Sequence, residues 1–226
     1  MKRSQINEIQ VWAKKLLEWH SFRLPSFAYW SLNQWKENRD RLEIIKEVKL
    51  GWDITDYGGS DFEKLGSTLF TIRNGTESGT GTPYAEKIIL LYEGQRLPIH
   101  CHRSKTEDII NRGGGTMLIR LYNSRPDGGV DSENDVQVCM DGIKTTVKAG
   151  EAIEVTRGNS ISLTPGMYHL FWAKEGAGDL ILGEVSSIND DDTDNYFAEA
   201  VSRFSQIEED EPILHLLCNE YEKILR

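Results

Sequence analysis

The chain has 226 residues, with 36 acidic against 26 basic side chains and a net charge of −10. That balance lacks the basic footprint a nucleic-acid partner needs and argues against a polyphosphorylated substrate. The length and a hydrophobic content of 38% support one sizeable core, and no apolar run approaches the roughly eighteen residues of a membrane helix.

The amino terminus, MKRSQINEIQVW, has no apolar signal-peptide centre, so a cytoplasmic location is expected. Ser4 is expected to cap a helix running to about Trp19, with Ile6, Ile9, Ala13 and Leu16 at helical spacing. The Trp-rich stretch to about Gly59 lacks clear periodicity and is read as a wrap around the rest of the chain. Together, residues 1–64 form a helical and irregular extension.

From about Leu65 to Ser187 the chain becomes a series of short β-type runs: LFTIRNGT, AEKIILLYE, TMLIRLY, VQVCMDGIKTTV, EAIEV, YHLFWA and LILGEVS. Asp141-Gly142 is a tight-hairpin signal and Asn74-Gly75 a lesser one. So many short runs in one block predict a mostly β fold, a small antiparallel barrel over residues 65–187. Thr193 or Asp192 is expected to start a helix presenting Phe197, Val201 and Phe204. Pro212 is expected to open a last helix through about Leu225, with Ile213, Leu216, Leu217 and Ile224 apolar. Residues 190–226 are thus read as C-terminal helices of a single domain. Cys101, Cys139 and Cys218 supply no paired framework, which fits a reducing compartment.

The chemistry concentrates in GQRLPIHCHRSKTEDIINRGG and TPGMYH. His100-x-His102 on a strand puts both imidazoles on one face, because side chains alternate, and turns Cys101 to the other. Glu107 arriving from the next strand and His169 from a distant one can close around a cation. Three neutral nitrogens and one anionic oxygen suit a divalent transition metal and leave positions open for a substrate.

These residues resemble the two motifs of the cupin superfamily. Gly94, His100, His102, Glu107 and Gly114 meet every position of the first motif. Gly158, Gly166 and His169 fit the second, although Thr164 stands where the first Pro belongs and Ala173 where the Asn belongs. The resemblance implies a cupin jelly roll, with His100, His102, Glu107 and His169 as metal ligands and a homodimer as the usual assembly.

A narrower resemblance covers essentially the whole chain. AEKIILLYEGQRLPIHCHRSKTEDIINRGGGTM and GEVSSINDDDTDNYF are similar to the D-lyxose isomerase family. It implies a Mn2+-dependent aldose–ketose isomerase, with Co2+ as another candidate metal. Its expected substrates are free sugars: D-lyxose and D-xylulose, and also D-mannose and D-fructose. In the enediol route a base moves a proton between C2 and C1; in the other route a hydride shifts directly.

Glu184 ends an apolar strand, and burial is expected to raise its pKa toward that of a useful base. Lys87 shares a strand face with Ile89 and Leu91, so it is the second catalytic candidate. Lys105, Asp190 and Asp194 are candidate sugar contacts, although helix capping explains acidic residues there equally well. His20 and His215 fall in expected helical segments and are read as structural or surface residues. Arg112 and the run Gly113-Gly114-Gly115 are read as a strand turn, since the Lys and Ser/Thr of a phosphate loop are missing. Rival readings are a metal dioxygenase with the same ligands, a phosphosugar isomerase, and a non-catalytic sugar-binding cupin.

Overall fold

A computed structural model describes residues 1–190 and 193–224. The chain opens with α1 (Arg3–Trp19), followed by a 3-10 turn (Ser26–Tyr29), α2 (Leu32–Glu37), a second 3-10 turn (Arg39–Arg41) and α3 (Glu43–Glu47). Strands then follow as β1 (Gly51–Thr55), β2 (Ser67–Gly75), β3 (Gly81–Leu91), β4 (His100–His102), β5 (Glu107–Gly114), β6 (Met117–Ser124) and β7 (Val130–Asp131). The series continues with β8 (Val136–Met140), β9 (Ile143–Val147), β10 (Ile153–Val155), β11 (Ser160–Leu163), β12 (Tyr168–Ala173), β13 (Leu180–Ser186) and β14 (Asn195–Phe197).

These strands form two curled antiparallel sheets, the expected mostly β architecture. The larger runs β1-β2-β3-β13-β5-β11-β8-β9, and the smaller runs β10-β6-β12-β4-β14 with β7 paired to β6. Their inner faces enclose one apolar core that includes Ile89, Leu91, Ile109, Ile119, Phe171 and Leu182. A second core lies on the outer face of the large sheet, where Ile6, Ile9, Ala13 and Leu17 of α1 pack on Trp52, Phe70, Ile88 and Leu90.

β3 and β13 therefore bury both faces, which is why their sequences read as continuous apolar runs. Alternation sends Ile88 and Leu90 toward the helix and Ile89 and Leu91 inward. The Asp141-Gly142 hairpin forms as expected: both residues adopt positive φ, at 50° and 82°, between β8 and β9. At Gly114, φ is +72° and an added Cβ would stand 2.0 Å from the carbonyl oxygen of Asp179. Only glycine fits that approach of β5 to the segment before β13.

Three expectations are corrected. The extension through residue 64 is not wholly helical and irregular, because β1 lies inside it and pairs with β2 from Gly51↔Thr71 to Thr55↔Ser67. Ser4 does not cap α1, which begins at Arg3 with Lys2 at its N-cap. Asp210 takes the capping role from the far end of the chain, accepting from Ser4 N at 2.9 Å and Ser4 Oγ at 2.8 Å. A carboxylate there also faces the positive end of the helix dipole.

The C-terminal helices are the third correction. Among the described residues no α-helix follows β13. Phe197 lies in β14, and residues 202–205 bond to β1 and the turn after it. Ser202 N donates to Tyr57 O at 2.9 Å, Thr55 Oγ1 to Arg203 O at 2.9 Å, and Asp56 N to Ser205 Oγ at 2.8 Å. Further on, Cys218 N donates to Trp52 O at 2.7 Å, and only Tyr221–Ile224 forms a 3-10 turn. Leu216, Tyr221 and Ile224 are buried beside Trp35 and Leu42. Docking against the Trp-rich segment satisfies that spacing of apolar residues without a helix. Leu225, where the helix was expected to end, lies outside the described residues.

Candidate metal centre

The two sheets meet at a small buried site. β4 carries His100 and His102 on one face, and His169 of β12 pairs directly with His100 across the small sheet. Ring centroids lie 4.2 Å apart for His100–His169, 5.3 Å for His100–His102 and 5.6 Å for His102–His169. One nitrogen from each ring falls within 4.8 Å of the others. Glu107, the first residue of β5, enters from the large sheet. Its Oε1 stands 3.2 Å from His102 Nε2 and 3.3 Å from His169 Nε2. All four side chains are buried. Cys101 shows the alternation from the other side, since its thiol contacts Tyr168 and Ser124.

The tautomers follow from the backbone. His100 Nδ1–H donates to Pro98 O at 2.9 Å, and His169 Nδ1–H donates to Met167 O at 3.1 Å. Each bond turns an Nε2 lone pair into the cavity, the arrangement of metal-bound histidine. Burial, followed by the neighbouring histidines, holds the His100 pKa well below its ordinary value. Burial likewise lowers His169 to about 4 against the pull of Glu107. Burial pushes the Glu107 carboxyl up, but Lys105 and then His102 hold it well below the usual carboxylate range.

Unprotonated imidazoles therefore face an ionised carboxylate. His169 Nε2 is buried without a hydrogen-bond partner among the described residues. Lone pairs crowded this way call for a cation, and the donor set fits a divalent transition metal.

Beside this group lies a buried cluster of charges. Glu184 of β13 pairs with Lys87 of β3 and with Ile109 of β5. Lys105 Nζ is 2.8 Å from Glu107 Oε2 and 2.9 Å from Glu184 Oε1. Lys87 Nζ is 3.4 Å from that same Glu184 oxygen. Asn189 Oδ1 accepts from both ammonium groups, at 2.7 Å from Lys87 and 3.2 Å from Lys105. Two lysines thus face two carboxylates with almost no solvent. The expected rise in the Glu184 pKa is corrected here. Burial does push it up, but Lys105 and Lys87 together pull it below its ordinary value.

Glu184, Lys87 and Lys105 thus join His100, His102 and Glu107 around one cavity of about 40 Å³. Asp190 and Asp194 do not line it. Asp194 Oδ1 accepts from Ser104 N and Oγ at 2.8 Å and 2.7 Å, while its Oδ2 accepts from Lys105 N at 3.2 Å. That Oδ2 also lies 3.6 Å from His102 Nδ1. Asp194 thereby fixes the loop that aims Lys105. Asp190 is exposed, and its Oδ2 accepts from Thr193 Oγ1 at 2.6 Å.

His215 is buried but not helical: Nδ1 meets Trp30 O at 3.0 Å, and Lys14 Nζ stands 2.6 Å from Nε2. Asn189, and the cavity-lining Tyr57, Phe197 and Arg203, were not anticipated as site residues. Phe197 was read as part of an apolar helix face, and no motif marks the others.

A sequence model of the D-lyxose isomerase family matches residues 1–221. A D-lyxose/D-mannose isomerase of Serratia proteamaculans is 45% identical over 224 residues, 98% of each chain. A D-lyxose/D-mannose isomerase of Escherichia coli O157:H7 is 44% identical over 226 residues, again 98% of each chain. Among solved structures, L-ribose isomerase of Acinetobacter sp. DL28 in complex with L-ribose superposes with a TM-score of 0.62 at 13% identity. The match covers 92% of this chain and 98% of that one, and at this identity it shows a shared fold. The chain belongs to the D-lyxose isomerase family and is a sugar isomerase built on the cupin fold.

Proposed function

We propose that the protein is a metal-dependent aldose–ketose isomerase. It interconverts D-lyxose with D-xylulose and D-mannose with D-fructose by moving a proton between C2 and C1. The observation that carries this reading is a base candidate, Glu184, joined through Lys105 Nζ to the ligand candidate Glu107, at 2.9 Å and 2.8 Å. His100, His102, Glu107 and His169 hold the ion, for which Mn2+ is the first candidate and Co2+ the second. When bound, such a cation stabilises negative charge developing on a sugar oxygen.

Glu184 takes the C2 proton and returns it at C1. With its pKa lowered, Glu184 rests in the ionised form a base needs at neutral pH. Lys105 and Lys87 keep that carboxylate in place and present ammonium hydrogens to the sugar oxygens. Both lysines are matched by carboxylates, which suits an uncharged sugar better than a phosphosugar. The relatives' names support the substrate pair. We propose a homodimer as the working assembly and the cytoplasm as its compartment. Among the described residues no helix is long and apolar enough to cross a membrane.

The test is incubation of chelated and metal-restored protein with D-lyxose and D-mannose in deuterated water. Ketose should form only in the restored protein, better with Mn2+ or Co2+ than with Mg2+, because imidazole ligands favour transition metals. Deuterium at C1 marks the proton-transfer route. Full turnover in metal-free protein overturns the reading.

A further inference from the structure

His100, His102, Glu107 and the Lys87–Glu184–Lys105 cluster account for part of the cavity lining. The chemistry proposed above acts on C1 and C2, so the remaining hydroxylated carbons of the open chain need separate holding. The lining also includes Tyr57 and Arg203, and Asn195 and Phe197 of β14, which pair with His102 and His100. Tyr57 Oη lies 2.9 Å from Ser67 Oγ, and the Phe197 ring packs 5.7 Å from that of His100. Arg203 brings a guanidinium, a planar fork of donors whose geometry matches paired oxygens.

Its position is fixed from several sides. Arg203 Nη2 donates to Asp53 Oδ2 at 2.5 Å, and the guanidinium carbon stands 4.9 Å over the ring of Phe204. Its main chain is fastened by Thr55 Oγ1 donating to Arg203 O at 2.9 Å. Asp53 and Thr55 both belong to β1, so one strand of the large sheet sets both backbone and side chain. Preorganisation of this kind removes much of the ordering cost of binding. Asp53 also neutralises the guanidinium, leaving a wall suited to hydroxyls.

We propose that Arg203 grips the hydroxyls at the far end of the open-chain sugar, and that Asp53 holds the guanidinium in the orientation that does so. The assignment deepens the isomerase reading and rests on it for the identity of the sugar. Arg203 is a positioning and specificity residue; it has no part in the proton transfer.

The experiment uses full-length metal-loaded protein as wild type, Arg203→Ala, Arg203→Lys and Asp53→Asn, with metal content and Tm measured for each. Substrates are D-lyxose, 5-deoxy-D-lyxose, which lacks the terminal hydroxyl, and L-erythrose, which lacks the terminal carbon. Arg203→Ala should raise KM for D-lyxose roughly ten- to hundred-fold, the size expected for hydrogen bonds to a charged group, with kcat much less changed. The wild type should lose a similar factor on the shortened sugars, and the variant little more on top of its own loss. Arg203→Lys should recover only part, because it keeps the charge without the fork. Asp53→Asn should move KM in the same direction by less, which keeps the test alive if the alanine variant folds poorly. Equal penalties on all three sugars, or an unchanged KM for D-lyxose, overturn the proposal.

If the wild type turns over no aldose, the isomerase reading fails by itself. Calorimetric binding of D-arabinitol to metal-loaded wild type and Arg203→Lys then still decides Arg203. Weaker binding by the variant supports the grip, and equal affinity removes it.

Discussion

Lys105 Nζ stands 2.9 Å from Glu184 Oε1 in a site from which solvent is almost wholly excluded. The lysine also contacts Glu107 at 2.8 Å, so the candidate base and a candidate ligand share one ammonium group. Glu184→Gln keeps the shape of the side chain but cannot accept a proton. It should lower kcat by roughly a hundred- to ten-thousand-fold, as general-base loss does. Metal content should stay normal, since Glu184 is outside the ligand set. Elemental analysis beside steady-state kinetics checks both halves, and a near-normal kcat would shift the role to Lys87.

His169 and Cys101 test the strand geometry of the metal centre. His169→Ala should reduce metal occupancy, because it deletes an Nε2 aimed into the cavity by the Met167 carbonyl. Cys101→Ala should leave occupancy nearly unchanged, since its thiol contacts Tyr168 and Ser124 on the opposite face. Equal losses of bound metal in the two variants would contradict that alternation.

Arg3 is the main polar tie between α1 and the C-terminal segment. Its side chain is fully buried, with Nε 2.8 Å from Glu209 Oε2 and a second ion pair to Glu220. Arg3→Ala leaves the buried Glu220 carboxylate with Lys223 as its remaining ion-pair partner, 2.8 Å away. Breaking a buried pair on one side costs about 3 kcal/mol at the lower end of what such losses show. Urea unfolding of metal-matched samples measures it.

The same network gives an acid limit. Hydrogen bonding from Arg3 is the largest cause of the lowered Glu209 pKa, about 2, while burial opposes it. A depressed carboxyl contributes stability that is fully present above its unfolded value and fades as pH falls toward the folded one. The contribution should therefore weaken below about pH 4.5 and be gone below about pH 2. Glu209 is half exposed, so solvent screening keeps the effect modest. Arg3→Ala should flatten that part of the stability–pH curve.

Two glycines with similar φ should respond differently to alanine. At Gly142, with φ +82°, an added Cβ meets nothing within 4 Å, so Gly142→Ala carries only the left-handed strain of about 1–2 kcal/mol. At Gly114 the added Cβ runs into the Asp179 carbonyl at 2.0 Å, and the backbone itself must move. Gly114→Ala should be markedly more destabilising, and a comparison of melting temperatures settles the order.

The candidate metal centre was legible because its signal is local. His100-x-His102 depends only on strand alternation, and Glu107 and His169 sit at fixed motif positions. Lys87 was legible by the same alternation, as a neighbour of Ile89 and Leu91. The role of Lys105 was not, because it depends on Asp194, 89 residues away, bonding to its backbone. β1 was missed because GWDIT is buried on both faces and shows no alternation. The C-terminal helices were misread because apolar side chains three or four apart also suit an irregular segment pressed against Trp52 and Trp35. The Glu184 pKa turned on two lysines whose convergence no spacing reveals.

The two-sided burial of β3 has an evolutionary consequence. Its even positions, Ile88 and Leu90, serve the helix-packed core, and its odd positions face inward, Lys87 and Ile89 lining the reaction cavity and Leu91 filling the core between the sheets. Substitutions along 87–91 should therefore sort into two alternating columns, one read out as loss of fold and the other mainly as change of activity. A single-residue deletion here exchanges the columns, driving the Lys87 ammonium into contact with α1 and an isoleucine toward Glu184. Such a chain loses its scaffold and its chemistry in one step, so this strand can drift by substitution but hardly by change of length.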